Sequence, residues 1–156
     1  MKVYQAKLET PFAVLGILTQ DEALVGIDFL SINAVPLAPQ DAVAEAVCSQ
    51  LASYLKDPRH RFDLPVNLKS TPHRMKVWES LREIPSGRFL NYGDLAKALH
   101  SSPRAVGQAC GANPIPVIIP CHRVLAKKGL GGFMNHSGGD PLLIKQWLLR
   151  HEGIQR

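Results

Sequence analysis

Several things are scarce in this 156-residue sequence: aromatic residues make up 6% of it, and cysteine occurs three times. No apolar run approaches the roughly 20 residues that a membrane-spanning helix needs, which excludes a membrane protein of that kind. The opening stretch MKVYQAKLETPF has an early lysine but no continuous apolar core, so it does not read as a signal peptide. With no export signal the expected location is the cytoplasm, associated with the nucleoid if the source is bacterial. Cys48, Cys110 and Cys121 are odd in number and lack CxxC spacing, which argues against a disulfide framework and against a cysteine-rich zinc site. For Cys48, in an apolar helical stretch, core filling is explanation enough. The hydrophobic (46%) and charged (20%) fractions suit a soluble globular chain, and the length suits one compact unit or two small ones sharing an interface.

Charge is plentiful but uneven. Residues 1–69 hold six Lys/Arg and eight Asp/Glu, net −2, whereas residues 70–156 hold twelve and five, net +7. A basic excess confined to one half is the footprint of a polyanion-binding surface, although basic halves also arise without such a partner.

The first half reads as α+β. FAVLGILTQ and ALVGIDFL are β-prone runs separated by Asp21 and Glu22, consistent with a hairpin. SINAVPLAPQ is a proline-containing loop. Val43, Val47, Leu51 and Leu55 recur every fourth residue, which predicts a helix from Asp41 that closes at Asp57-Pro58. FDLPVNLKSTP reads as an extended segment and linker. Neither an internal repeat nor a low-complexity tract interrupts the chain.

The second half is a succession of short helices with legible caps. HRMKVWESLREI carries Met75, Trp78, Leu81 and Arg82 at helical spacing and stops at Pro85-Ser86-Gly87. NYGDLAKAL begins with Asn91 as N-cap and Asp94 three residues on, a variant of the capping box. SSPRAVGQACGAN has Ser102 as N-cap, Pro103 at the first helical position and Gly111 as a stop. A tight Leu99–Ser101 turn between two short helices is what a helix-turn-helix requires. On the second of these helices Ala105, Gly107, Ala109 and Gly111 are small. They suit either close approach of a phosphate backbone or tight helix–helix packing. Asp140-Pro141 opens a last helix, PLLIKQWLLRHE, whose Leu143, Trp147 and Leu148 are expected to face the core.

The chemistry concentrates in ANPIPVIIPCHRV. Pro114, Pro116 and Pro120 fix φ and remove donors, so Ile115–Ile119 cannot be helical, and a stiff extended strip is expected to deliver Cys121 to one place. Such rigidity suits a nucleophile that must meet its target in line. His122 is a candidate base for the thiol, directly or through a water, and Arg123 would favour the thiolate. Glu152 is a candidate acceptor for the other imidazole nitrogen, completing a Cys–His–Glu relay. On chemistry alone the candidates are a thiol hydrolase, a redox thiol and an alkyl acceptor.

The segments KVWESLREIPSGRFLNYGDLAKAL, SPRAVGQACGANPIPVIIPCHRV and KQWLLRHEG, within about residues 71–153, closely resemble the O6-alkylguanine-DNA alkyltransferases, and the pattern N-P-x-P-x-x-I-P-C-H-R-V is highly specific. The resemblance implies an α+β protein. A small N-terminal α/β domain of the ribonuclease H-like kind, residues 1–69, would precede a mainly helical winged-helix domain, residues 70–156. It implies single-turnover repair, with Cys121 taking the alkyl group from O6-alkylguanine, and also from O4-alkylthymine in the widest reading. His122 and Glu152 would activate the thiol, Asn113 would hold the loop as a hinge, and Tyr92 would bond the everted base and assist the leaving guanine. Arg104 would fill the vacated stack. Ala105, Gly107, Ser102, Arg123 and Tyr92 complete the implied DNA contacts, and Ser137, Tyr92 and Val117 the alkyl pocket. The partner would be duplex DNA bound in its minor groove by a monomer, with no membrane and no cofactor. Zinc-binding residues of some relatives are not evident, so no metal is expected.

Two departures stand out: His73 replaces a usual aromatic, and the loop KKGLGGFMNHSGGDPLLIK is longer than is usual, with His136 in it read as solvated. Rival classes are a winged-helix DNA-binding regulator, which leaves the Pro-Cys-His-Arg framing without purpose, and a non-catalytic alkyltransferase-like lesion-binding protein. Proteins of the second class lack the acceptor cysteine that is present here.

Overall fold

Residues 2–133 and 140–155 are described by the computed structural model. The hairpin forms as its sequence predicts: β2 (Val14–Gln20) and β3 (Ala23–Leu30) pair antiparallel. Asp21 and Glu22 between them have φ of 51° and 62°, the left-handed pair that a two-residue hairpin turn requires. A strand the sequence did not announce, β1 (Ala6–Glu9), pairs antiparallel with β2 and gives a sheet ordered β1-β2-β3. Four residues are too few for alternation to be read in advance.

Helix α1 (Ala42–Lys56) starts where Asp41 accepts a hydrogen bond from the Ala44 amide at 2.7 Å, a cap that contributes about 1 kcal/mol. Ala44, Val47, Leu51 and Tyr54 form its buried face against the sheet, with Val43 and Leu55 at the margins. The linker then returns to the sheet, where Val66 bridges Leu24 in parallel.

In the second half, Thr71 caps α2 (Pro72–Arg82). A two-residue strand, β4 (Leu90–Asn91), leads into α3 (Tyr92–Ala98), which the Asn91 side chain caps through the Asp94 amide at 2.7 Å. His100, with φ of 53°, makes the tight turn into α4 (Pro103–Gly111), and Ser102 accepts from the Ala105 amide at its start. The indole of Trp78 donates to the Ala109 carbonyl at 2.8 Å and locks α2 to α4. His73 lies 2.8 Å from the Ser101 hydroxyl, so the residue that departs from the family's aromatic ties α2 to the α3–α4 turn.

Strand β5 (Val124–Leu125) pairs in parallel with β4, and α5 (Pro141–His151) follows, capped by Asp140. The expected inward face of α5 needs correction. Ile144, Lys145, Leu148 and Leu149 are buried and Trp147 is half-buried, whereas Leu143 is 63% exposed. The true stripe is rotated by a residue and brings Lys145 inward. One contiguous core takes residues from both halves, among them Ile27, Phe29, Val77, Leu81, Val106 and Ile119.

Candidate active site

Residues 113–123 form a braced loop rather than the expected extended strip. Helicity is excluded by the prolines, but the chain reverses at Val117, whose φ of 75° is unusual for a β-branched residue. The Ile119 amide donates to the Ile115 carbonyl at 3.0 Å and closes the turn. Asn113, buried, spans it: Nδ2 donates to the Ile119 carbonyl at 2.8 Å, and Oδ1 accepts from the Ile115 amide at 3.0 Å. From the sheet, the Ile27 amide donates to the Pro114 carbonyl at 2.9 Å. The braced loop ends in a 3₁₀ turn, Cys121–Arg123, whose three side chains are all buried.

Glu152, just beyond α5, organises that turn. His122 Nε2 lies 2.8 Å from Oε2, Arg123 donates through Nε to Oε1 at 2.8 Å and through Nη2 to Oε2 at 3.0 Å, and Tyr54 donates to Oε2 at 2.6 Å. Burial alone would raise the Glu152 carboxyl, but the partners His122 and Arg123 outweigh it and hold the group far below its ordinary range. Burial lowers the His122 imidazole against the pull of Glu152, so it rests neutral. We place its proton on Nε2, facing the carboxylate. Nδ1 is then a lone-pair acceptor, buried and without a hydrogen-bond partner.

Arg123 does not reach outward to DNA. It is 9% exposed and held by Glu152 and by the Ile84 carbonyl at 2.5 Å, because an isolated buried carboxylate would be far costlier than this fork. Nor does it favour the thiolate as expected. Desolvation raises the Cys121 thiol to about 11, against opposing effects from Asn113 and Lys145. The thiol therefore rests protonated and requires a base.

Cys121 opens onto a cleft of about 400 Å³ bordered by Tyr92, Arg104, Gly107, Cys110, Gly111 and Phe133 among others. The volume lies within the range of small-molecule sites. Tyr92 donates a long hydrogen bond, 3.4 Å, to the Gly132 carbonyl, and burial raises its phenol well above the usual range. Arg104 is exposed in the first turn of α4, and the Ser102 hydroxyl is engaged in capping that helix. The small residues of α4 divide between the two readings. Ala109 is buried against α2, while a Cβ at Gly107 or Gly111 would meet nothing within 4 Å. Val117 does not border this cleft; the left-handed turn directs it to a separate hollow with Pro120 and Arg123. Ser137 and His136 lie outside the described residues.

Residues 72–154 match the family described as 6-O-methylguanine DNA methyltransferase, DNA binding domain. A methylated-DNA–protein-cysteine methyltransferase of Metallosphaera sedula is 37% identical over 145 residues, 92% of this chain and 89% of that one. One from Archaeoglobus fulgidus is 46% identical over 106 residues, covering 67% of this chain and 72% of its own. The chain belongs to the methylated-DNA–protein-cysteine methyltransferase family. Among solved structures, the O6-methylguanine methyltransferase of Mycobacterium tuberculosis superposes with a TM-score of 0.80 at 28% identity, covering 96% of this chain and 93% of that one. A structure of the same organism's protein in complex with DNA gives 0.79 at 29% identity, covering 94% and 90%.

Within this methyltransferase fold, sequence reasoning missed three residues. Lys145 is fully buried, and its ammonium donates to the carbonyls of Val124 at 2.7 Å and Gly132 at 2.8 Å. Desolvation lowers it to about 8, and the thiols of Cys121 and Cys110 are the nearby groups that favour its charge. Lys145, Leu148, Leu149 and Glu152 lie on one helical face, a spacing that could have found it. Tyr54 shares a face with Leu51 and holds Glu152 from the first half. Phe133 borders the cleft and packs on Phe29 of β3, with ring centroids 5.9 Å apart. Among the described residues, no group of three or more His, Cys, Asp or Glu is placed to hold a metal, and no helix is long and apolar enough to cross a membrane.

Proposed function

We propose that the protein performs direct-reversal DNA repair, moving an alkyl group from O6 of guanine in duplex DNA irreversibly onto the sulfur of Cys121. One observation carries the reading: a buried thiol opens onto a cleft walled by α4, and a neutral histidine paired to a carboxylate follows it directly in the chain.

Because the O6 substituent of paired guanine is hidden, the nucleotide must leave the stack, at a cost of a few kcal/mol. In this proposal α4 lies along the minor groove and Arg104, free at its first turn, offsets that cost by filling the gap. With the base in the cleft, the Cys121 proton passes through one water to His122 Nδ1, and Glu152 stabilises the imidazolium formed. The sulfur attacks the alkyl carbon, the C–O6 bond breaks, and the electron pair leaves with guanine, which Tyr92 protonates at N3. A thioether remains. None of the described residues of the cleft provides a means of expelling it, so each molecule turns over once. Asn113 holds the loop in register.

The finer architecture belongs to the same proposal. Residues 1–69 act as a ribonuclease H-like unit that braces the loop. Residues 70–156 act as a winged-helix unit, α3 and α4 forming the helix-turn-helix. The protein works as a monomer in the cytoplasm and requires no metal.

Mixing the protein with a duplex containing O6-methylguanine and weighing it intact tests this directly. The expected result is a stoichiometric gain of one methylene, confined to the peptide carrying Cys121. Repaired DNA with unmodified Cys121, or repeated turnover, would overturn it; binding without an adduct would favour a lesion sensor or a regulator.

A further inference from the structure

Behind the acceptor loop lies a second hollow, about 680 Å³, that the transfer reaction does not use. Arg59 and Arg61 come from the acidic first 69 residues, yet the fold sets them at this hollow with Arg82 from the end of α2. Arg123 also borders it but is engaged by Glu152 and Ile84, so the outward donors are the other three. Among the described residues no carboxylate pairs with Arg61 or Arg82, whereas Arg59 meets Asp57 Oδ1 through its backbone amide at 3.0 Å and through Nε at 3.4 Å. Glu83 is the acidic residue of the rim. His60 adds a buried Nε2 without a hydrogen-bond partner.

The arginine-bearing segment is held, not loose. Gln50 donates to the Asp63 carbonyl and accepts from the Asp63 amide, both at 2.8 Å. Phe62 packs on Tyr54 at 5.7 Å and takes His60 edge-on at 5.2 Å. Arg61 and Arg82 border the same hollow with no carboxylate partner among the described residues, so a bound anion would relieve their mutual repulsion. Their planar forks match phosphate oxygens best, and an aromatic ring beside them suits a base.

We propose that this hollow is a second binding site, separate from the acceptor cleft, for a phosphate-bearing ligand. Arg59, Arg61 and Arg82 grip the phosphate, and Phe62 supplies an apolar face. A free nucleotide and a nucleic-acid strand share that chemistry, and the test separates them.

Isothermal titration of the full chain with ADP, and separately with a short unmodified oligothymidylate, is the experiment. Saturable one-to-one binding is expected, weakened about tenfold by Arg61→Gln or Arg82→Gln; binding of ADP is unchanged by Arg104→Gln at the other cleft. These arginines are exposed, so the variants should keep the parent's thermal midpoint. Saturation by ADP supports a nucleotide site, and saturation by the oligonucleotide alone supports a strand site when Arg61→Gln and Arg82→Gln weaken it. The proposal fails if neither ligand saturates, or if Arg61→Gln and Arg82→Gln leave binding unchanged.

Discussion

His122 and Glu152 meet at 2.8 Å through Nε2 and Oε2, which leaves Nδ1 as the imidazole nitrogen without a hydrogen bond. The arrangement separates two functions of the same carboxylate: it orients the base, and it neutralises Arg123. Glu152→Gln keeps the shape but removes the charge. Transfer should slow by about 100-fold or more, and stability should fall by about 3–5 kcal/mol because Arg123 is left buried without its partner. His122→Gln should show a comparable rate loss with a much smaller stability loss. Single-turnover kinetics and urea unfolding of both variants check this; parental transfer in Glu152→Gln would mean that the carboxylate is no more than a structural ion pair.

Lys145 should act on Cys121 through charge. Its ammonium is tied to two neutral carbonyls and lies 5.7 Å over the Tyr92 ring, and the nearby thiols of Cys121 and Cys110 favour its charge. Lys145→Met should raise the Cys121 thiol further and slow both alkyl transfer and iodoacetamide labelling at pH 7 by about tenfold for each unit of rise. Labelling separates charge from loop positioning, since it needs no DNA and no alkyl pocket. Unchanged labelling in a variant with impaired transfer would limit Lys145 to holding the Val124 and Gly132 carbonyls.

Alkaline conditions should weaken the fold. Burial lifts Cys121 from 9.0 to about 11 and Cys110 from 9.0 to about 12. Their contribution is whole below pH 9 and is lost as pH rises through those folded values, because the unfolded chain releases these protons first. Lys145 works in the opposite sense. Lowered from 10.5 to about 8, it penalises the fold below pH 8 and ceases to do so above 10.5. Two thiols outweigh one lysine, each worth on the order of 2 kcal/mol. Urea midpoints should therefore fall between pH 9.0 and pH 10.5, the ordinary values of the thiols and of the lysine. The double variant Cys110→Ala/Cys121→Ala should flatten the fall, and an unchanged slope would place its origin elsewhere.

Much of this was legible because caps and turns are local. Asp41, Asn91, Ser102 and Asp140 each start a helix where the sequence put them, since a side-chain acceptor beside free amides acts within three residues. The reversal at Val117 was not legible. Three prolines exclude a helix but do not choose between a strand and a turn, and the choice is made by Asn113 and by Ile27 from a distant strand. Arg123 was misread, and Lys145 missed, for a related reason. Charge predicts exposure until a tertiary partner is known, and their partners are carbonyls and a carboxylate from elsewhere in the chain.

The small face of α4 supplies the sharpest test of how DNA approaches. Gly107 borders the cleft, and a Cβ built there has open space on every side within 4 Å. Packing does not require glycine at this position, and helix propensity disfavours it. Gly107→Ala should thus raise stability by about 0.5–1 kcal/mol. If α4 lies against duplex, the same methyl group, and more so the side chain of Gly107→Leu, must hold the backbone away and weaken binding. No phosphate-neutralising charge is removed, so the dependence of affinity on salt should keep its slope while every affinity drops. Ala109→Leu is the contrasting case: buried at 1% exposure under the Trp78 contact, it should cost about 1–3 kcal/mol by overpacking. Fluorescence anisotropy on a labelled duplex at several salt concentrations measures the first effect and thermal unfolding the second. Gly107→Leu with parental affinity would move the DNA to another face.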